Sequence, residues 1–309
     1  MSETKNKQAS TLARLRNIAR EKDIEFNSIL NQYMRERFLY RLSISDFADK
    51  FLLKGGLLLF SYDKFNTRPT IDIDLLAVRI QNNQDILAKA ISEIARIQCD
   101  DGLIFHVDGI KINTIIEHGQ YTGLRANITC NLGRAKNRLK IDIGFGDIVI
   151  RPKDIEFPVL LKTNQVPVIK VYSLESSIAE KFEAMVKLSL LNSRMKDFYD
   201  IYNLSKSKDF EGRVLQEAIF QTFQRRKTTL EKEQSIFQDL FINSAEKQRE
   251  WSNYIRRIRV SSPEYFKDMM NQLILFLKPV YDSLCNEEEF ILYWSSINNE
   301  WSKKSHHTD

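Results

Sequence analysis

The chain has 309 residues, 43% of them hydrophobic, which is enough to bury a core in one large domain or two of ordinary size. Its 46 basic and 41 acidic side chains leave a net charge of +5, a mild excess that permits a polyanionic partner without requiring one. Three separated cysteines exclude a disulfide framework and a zinc box, and only four histidines argue against a histidine-based metal site or a Ser-His-Asp triad. The polar N-terminal segment is unlike a secretion signal and no apolar run could cross a bilayer, so a cytoplasmic protein without membrane contact is expected.

The first part of the chain alternates predicted helices with two short predicted strands. Hydrophobic periodicity predicts helical structure over residues 11–42 and a short helix over residues 43–51. The run "FLLK" reads as a buried strand that ends at a Gly-Gly pair. A second strand is predicted over residues 70–78, and a helix over residues 84–98.

Strands dominate the middle of the chain and helices dominate its end. Strands are predicted between about residues 105 and 149, with turns near Gly109, residues 117–119 and residues 133–137. From Ser173 onward the pattern is almost wholly helical. The predicted fold class is α+β, a small mixed sheet followed by a C-terminal helical domain. The predicted domains are N-terminal helices packing on the core (residues 1–45), the core (46–170) and a helical domain that completes the active site (171–309).

Two predicted strands carry aspartates between apolar residues. In "RPTIDIDLL" Asp72 and Asp74 alternate with isoleucines, and in "KIDIGFGD" Asp142 does the same. Residues two apart share a strand face, so Asp72 and Asp74 are expected roughly 7 Å apart, with Asp142 converging on them if its strand pairs beside theirs. Each like-charge pair near 5 Å costs about 3 kcal/mol at an effective dielectric of about 20, so a cation is expected to offset the cluster. Mg²⁺, with Mn²⁺ as the alternative, prefers carboxylate oxygens and substrate phosphates.

The competing interpretation of a D-x-D pair is a solvated strand face, on which aspartates cost nothing. Aspartate is depleted in strands, and two strands share the pattern here, which favours the metal site. Only ten glycines occur in the chain, and four of them stand beside the acids: Gly55, Gly56, Gly144 and Gly146. A Gly-Gly between a strand and a helix lets backbone N–H groups approach an anion, although "KGG" alone also fits an ordinary tight turn.

Two charged residues fall within apolar helix stripes of the C-terminal part. Lys181 lies between Ile178 and Met185, a position that is costly unless it meets an anion or extends its ammonium to the surface. Asp197 shares a predicted helix face with Ile201, and it either serves the site, by positioning a hydroxyl or holding Lys181, or caps its helix and pairs locally.

Five segments occur in an order and spacing that resemble the motifs of a known family: "FLLKGGLLLF", "RPTIDIDLL", "KIDIGFGD", "SSIAEKFEAMV" and "SRMKDFYDIY". Over residues 10–260 the chain resembles the AbiEii/AbiGii-type nucleotidyltransferase toxins, the toxin half of bacterial type IV toxin–antitoxin and phage-abortive systems. The resemblance implies a DNA-polymerase-β-like nucleotidyltransferase core. The chain departs from the superfamily where Gly-Gly replaces the common Gly-Ser, which removes a hydroxyl from the phosphate cradle.

The resemblance also implies an activity and a role for each motif residue. It implies transfer of NMP from an NTP to a tRNA 3′ end, which blocks translation, and a separately encoded antitoxin that opposes the toxin. The implied metal ligands are Asp72, Asp74 and, as the third acid, Asp142. The implied nucleotide-binding residues are Lys54, Gly55, Gly56 and Lys181, and Asp197 joins Lys181 in the catalytic set.

The distribution of basic residues partly supports RNA as the acceptor. Arg134, Lys136, Arg138 and Lys140 alternate before Asp142, and residues 225–227 and 256–259 form further basic clusters. Such charge binds phosphates irrespective of sequence, but solvated charged faces have the same composition. Two alternative functions stay open. One is nucleotidylation of a protein hydroxyl, and the other is a non-catalytic regulator that binds GTP or nucleic acid.

Overall fold

A computed structural model describes residues 2–117, 121–258 and 261–304. The chain forms two compact units. The first comprises Met1–Gly146 and Pro152–Tyr172, and the second comprises Asp147–Arg151 and Ser173–Asp309. The N-terminal helices belong to the first unit. Among the described residues, no helix has the length and apolarity needed to cross a membrane.

In its described residues, the first unit combines helices with a seven-stranded mixed sheet. The helices are α1 (Ser2–Glu21), α2 (Phe26–Ser43), α3 (Gly55–Asp63) and α4 (Gln84–Arg96). The strands are β1 (Phe51–Lys54), β2 (Ile73–Ala77), β3 (Leu103–Glu117), β4 (Tyr121–Leu132), β5 (Ala135–Phe145), β6 (Lys153–Glu156) and β7 (Val168–Val171). Their order is β3-β4-β5-β2-β1-β7-β6, in which β2 is parallel to β5 and β1 is parallel to β7. The sheet is therefore mixed as predicted, but larger than expected.

Alternating side chains give the sheet one apolar face. Ile73 and Leu75 on β2, with Ile141 and Ile143 on β5, are fully buried. Helix α4 packs on β3 and β4, and α2 packs on β5. Because successive strand residues point to opposite faces, the intervening aspartates lie on the other side of the sheet.

Residues 11–42 are helical as predicted, and they belong to two helices with a break that contains Asp23 at φ +51°. Two local predictions for the first unit are wrong. Residues 43–51 contain only the short 3₁₀ turn Ala48–Lys50 before β1, since the preceding helix ends where Ser45 bonds back to the Leu42 carbonyl. Gly109 lies within β3, where the register shifts, and not in a turn. The turn predicted near residues 117–119 falls largely outside the described residues.

Other local predictions are confirmed. The helix predicted over residues 84–98 is α4, which the Asn83 side chain caps by accepting from the backbone N–H groups of Asp85 and Ile86. The turn predicted after β4 is the Gly133-Arg134 connection, with Gly133 at φ +59°. The Asn83 cap fixes the start of α4, and the Gly133-Arg134 connection fixes the end of β4 and the start of β5.

The second unit contains helices and, against the prediction, a small sheet. The helices are α5 (Leu174–Leu188), α6 (Met195–Ser207), α7 (Gly212–Arg226), α8 (Asp239–Ile242), α9 (Ala245–Ile258) and α10 (Phe266–Cys285). The strands β8 (Phe210–Glu211), β9 (Tyr293–Ser295) and β10 (Glu300–Ser302) form an antiparallel sheet in the order β10-β9-β8. Trp294 and Trp301 both pack on Phe276 of α10, at 5.0 and 5.6 Å between ring centroids. This aromatic packing explains why the last residues form strands.

A buried acid on α2 gives the first unit a dependence on pH. Glu36 is fully buried, and its Oε2 accepts the backbone N–H of Leu160 at 2.8 Å. Burial raises the pKa of Glu36 from its ordinary 4.5 to about 8, although the Leu160 hydrogen bond and the Arg37 charge oppose the rise. The folded chain therefore retains a proton that the unfolded chain releases. This contribution to stability is complete below about pH 4.5 and is lost as the pH rises through about 8.

Glu36→Gln is expected to flatten that dependence, because an amide keeps the acceptor for Leu160 and does not ionise. At about pH 8 the free energy of unfolding should exceed the wild-type value by on the order of a few kcal/mol. Thermal unfolding across the pH range measures the difference, with Glu93→Gln on the exposed side of α4 as the control. Parallel stability curves for wild type and Glu36→Gln would contradict this prediction.

Candidate active site

The structure places the predicted carboxylates at the centre of the first unit's sheet. Asp74 on β2 and Asp142 on β5 are register partners on parallel neighbouring strands. Asp72 directly precedes β2, two residues before Asp74. The strand pairing on which the predicted convergence depended is therefore present, and the three acids lie on the face opposite the buried isoleucines.

Asp142 is held by an arginine that no sequence pattern had singled out. Arg125 on β4 lies directly opposite Asp142, and its Nε and Nη2 donate to the two Asp142 carboxylate oxygens at 2.6 Å each. These hydrogen bonds raise the pKa of Arg125, and the charges of Asp142, Asp72 and Asp74 add to the rise. All three acids therefore favour the charged form of Arg125.

Helix α2 supports the segment that carries Asp72. The Nη1 of buried Arg35 donates to the carbonyls of Thr70 and Ile71, which explains why β2 begins only at Ile73 and not at the predicted residue 70. Burial lowers the pKa of Arg35 to about 10, although the Asp72 charge opposes the shift. The Oδ1 atom of Asp72 is itself buried and has no hydrogen-bond partner within the described structure.

The Gly-Gly pair packs tightly against the aspartate strand. Gly55 opens α3 at φ +66°, and a Cβ atom there would overlap the Asp74 carboxylate. A Cβ atom on Gly56 would lie 2.6 Å from the Thr70 Oγ1. Lys54, the register partner of Asp74, is buried with its ammonium 5.7 Å from the centroid of the Tyr172 ring. Only glycine therefore permits this approach of β1 and α3 to β2.

Gly55→Ala is expected to destabilise the chain by about 3 kcal/mol and to displace Asp74, because the substitution adds both a positive-φ penalty and a steric overlap. The melting temperature and the activity of the site should both decline. Gly109→Ala is the matched control, since the nearest atom to its Cβ is the His106 carbonyl oxygen at 3.8 Å. Equal stability and activity for the two variants would refute the steric account.

The carboxylates fit a divalent cation in part. Asp72 presents an unpartnered buried oxygen, and the Asp74 carboxylate lies against Gly55. Both Asp142 oxygens are taken by Arg125. Among the described residues, no group of three or more His, Cys, Asp or Glu side chains is arranged to hold a metal ion. The donor chemistry of Asp72 and Asp74 suits Mg²⁺, and Asp142 would serve as a ligand only by exchanging a contact with Arg125.

Lys181 and Asp197 form a buried ion cluster within the second unit. The Lys181 ammonium lies 2.8 Å from Asp197 and 2.7 Å from Asp200, and Arg194 also pairs with Asp197. Burial by itself would raise the pKa of Asp197, but the Lys181 and Arg194 charges override it and hold that pKa well below its usual value. Lys181 is 11% exposed, so the alternative of a surface-directed ammonium is wrong. Asp197 does hold Lys181, and it also pairs locally with Arg194. A role for Lys181 and Asp197 in catalysis stays a prediction.

One predicted basic cluster of the second unit is not a surface cluster. Arg226 is buried, and its guanidinium lies 2.9 Å from Glu183, 3.2 Å from Asp147 and 3.4 Å from Glu180. The exposed cations of the predicted clusters are Arg225, Lys227, Arg256 and Arg257, and Arg259 lies outside the described residues. Arg226 therefore stabilises the second unit and is not available to a phosphate.

The family model of the nucleotidyl transferase AbiEii toxin, type IV toxin–antitoxin system, matches residues 37–272, well over half of the chain. No curated protein sequence shows a significant match. The crystal structure of JHP933 from Helicobacter pylori is similar with a TM-score of 0.45 and 11% identity, over 85% of this chain and 95% of that one. A second H. pylori structure, provisionally described as a nucleotidyltransferase, has a TM-score of 0.45 and 13% identity. The match covers 86% of this chain and 100% of that one.

Proposed function

Because the chain belongs to the AbiEii nucleotidyl transferase toxin family of type IV toxin–antitoxin systems, we propose that it moves NMP from an NTP to a tRNA 3′ end in an Mg²⁺-dependent reaction that blocks translation. The observation that carries this proposal is the in-register placement of Asp74 and Asp142 on parallel strands, with Asp72 and the Gly-Gly turn beside them. The proposed core is DNA-polymerase-β-like. Membership of the family implies a separate antitoxin that opposes the toxin.

Each residue of the first unit's site has a proposed role. Asp72 and Asp74 would hold Mg²⁺, or Mn²⁺ in its place. Such an ion neutralises phosphate oxygens and favours ionisation of the attacking hydroxyl. The backbone of Gly55 and Gly56, at the start of α3, would receive the triphosphate without Cβ obstruction, with the Lys54 charge beside it.

Arg125 and Asp142 would act together on the acceptor. Arg125 fixes the orientation of the Asp142 carboxylate through two hydrogen bonds. If one oxygen of Asp142 releases Arg125, it can accept the proton of the RNA 3′ hydroxyl while the other oxygen keeps its hydrogen bond. This division of the carboxylate would leave one oxygen for Arg125 and one for the acceptor hydroxyl.

The test uses purified protein, total bacterial tRNA, Mg²⁺ and each α-³²P-labelled NTP in turn. The proposal predicts label that is nuclease-sensitive and protease-resistant, and that disappears when periodate has oxidised the RNA 3′ end. Label on protein would favour nucleotidylation of a protein hydroxyl. Nucleotide binding without any transfer would favour a non-catalytic regulator.

A further inference from the structure

Cations line the sheet face that leads to the carboxylates. On β5, Lys136, Arg138 and Lys140 are exposed and alternate with more buried residues, so they share the face of Asp142. Residues two apart on a strand are separated by about 7 Å, which places Lys140, Arg138 and Lys136 about 7, 13 and 20 Å from Asp142. The three charges therefore form a line that ends at the candidate active site.

The neighbouring strands extend this face with neutral donors and another cation. The register partners of the β5 cations on β4 are Asn127, Thr129 and Asn131. On β3, the exposed Lys111 is the register partner of Asn127. Neither β4 nor β5 carries an acid other than Asp142, which Arg125 pairs. The face thus offers ammonium, guanidinium, amide and hydroxyl groups with no competing free carboxylate on these two strands.

We propose that this basic face, formed by Lys136, Arg138 and Lys140 on β5 with Asn127, Thr129 and Asn131 on β4, binds the phosphodiester backbone of the RNA acceptor. This inference rests on the proposed function and adds the surface along which the RNA acceptor lies. Lysine and arginine bind phosphates irrespective of base sequence, and amide and hydroxyl groups donate to phosphate and sugar oxygens. An RNA strand bound along this line with its 3′ end toward Asp142 would place that end at the candidate active site.

The basic face is better suited to RNA than the other predicted clusters. Its cations come from one strand of the sheet and are evenly spaced. In the second unit, Arg226 forms ion pairs with Glu183, Asp147 and Glu180. The exposed cations of that cluster are therefore Arg225 and Lys227. Those two exposed cations, with Arg256, provide a matched set for comparison.

The test compares two triple variants with wild type: Lys136→Gln/Arg138→Gln/Lys140→Gln, and Arg225→Gln/Lys227→Gln/Arg256→Gln. Filter binding of total tRNA at several salt concentrations gives the affinity and its salt slope. Loss of three phosphate contacts should reduce the slope by about 2, since each contact to a single strand contributes about 0.7. We expect the first variant to bind tRNA at least about tenfold more weakly, with a matching rise in KM for tRNA. NTP affinity should stay within about twofold.

The second triple variant is expected to retain the wild-type slope. Equal losses in both variants would show a general effect of net charge and would overturn the basic face. Unchanged tRNA binding by the first variant, while wild type still labels tRNA, would also overturn the proposed role of the basic face. This result would leave the proposed function intact. If wild type neither binds nor labels RNA, the proposed function fails and the inference fails with it.

Discussion

Asp72→Ala is expected to reduce nucleotidyl transfer by at least about 10³-fold, or roughly 4 kcal/mol of transition-state stabilisation. The reason is the buried Oδ1 atom of Asp72, which has no hydrogen-bond partner in the described structure and is suited to a divalent cation. The Asp72 charge also favours the charged forms of Arg35 and Arg125, so the melting temperature should fall modestly while the fold is retained. Initial rates of label transfer, Mn²⁺ binding by electron paramagnetic resonance and thermal unfolding measure these three effects.

Asp108→Asn is the control, because it removes a carboxylate from an exposed position on β3 of the same unit. That variant should keep wild-type transfer and Mn²⁺ binding. A folded Asp72→Ala protein that still transfers nucleotide and still arrests growth would contradict the assignment of the metal site.

Lys181→Met is expected to destabilise the chain by about 3–5 kcal/mol, the usual cost of removing one partner from a buried ion pair. Lys181 is shared between Asp197 and Asp200, which are both 1% exposed. Without the ammonium, Asp200 loses a partner at 2.7 Å and Asp197 keeps Arg194. Denaturant unfolding of wild type and variant measures the loss.

Two further variants test that interpretation. Lys181→Met/Asp200→Asn should recover part of the stability, because it also removes the Asp200 charge that the Lys181 ammonium offsets. Lys206→Met, at an exposed position on α6, should have little effect. If Lys181→Met unfolds at the wild-type denaturant concentration yet loses transfer, the role of Lys181 is catalytic and the structural account is wrong.

The aspartates were predictable from sequence, and their arginine partners were not. Alternation of apolar and acidic residues identified β2 and β5 because the side-chain period of a strand is two. Arg125 could not be found in this way, since its meeting with Asp142 depends on the β4–β5 register, which the Gly133-Arg134 connection sets. Arg35 looked like one charge among many on a basic helix, and only the packed structure shows it holding the Asp72 segment.

The errors in the fold prediction also have local causes. The apolar pattern over residues 11–42 predicted helical structure but did not locate the break between α1 and α2, because Asp23 adopts positive φ without interrupting that pattern. The C-terminal strands escaped prediction because each is short and derives its stability from aromatic contacts with α10, which lie far apart in sequence. The burial of Arg226 was hidden for a similar reason, since its acidic partners come from α5 and from residue 147.

Nucleotidyl transfer at the aspartate site can be tested in a paired reaction with α-³²P- and γ-³²P-labelled NTP, tRNA and Mg²⁺, run with wild type and Asp74→Asn. We expect wild type to leave α-label on the RNA 3′ end and to release γ-label as pyrophosphate, and we expect Asp74→Asn to do neither. Gamma-label on the acceptor, or equal transfer by both proteins, would contradict nucleotidyl transfer at this site.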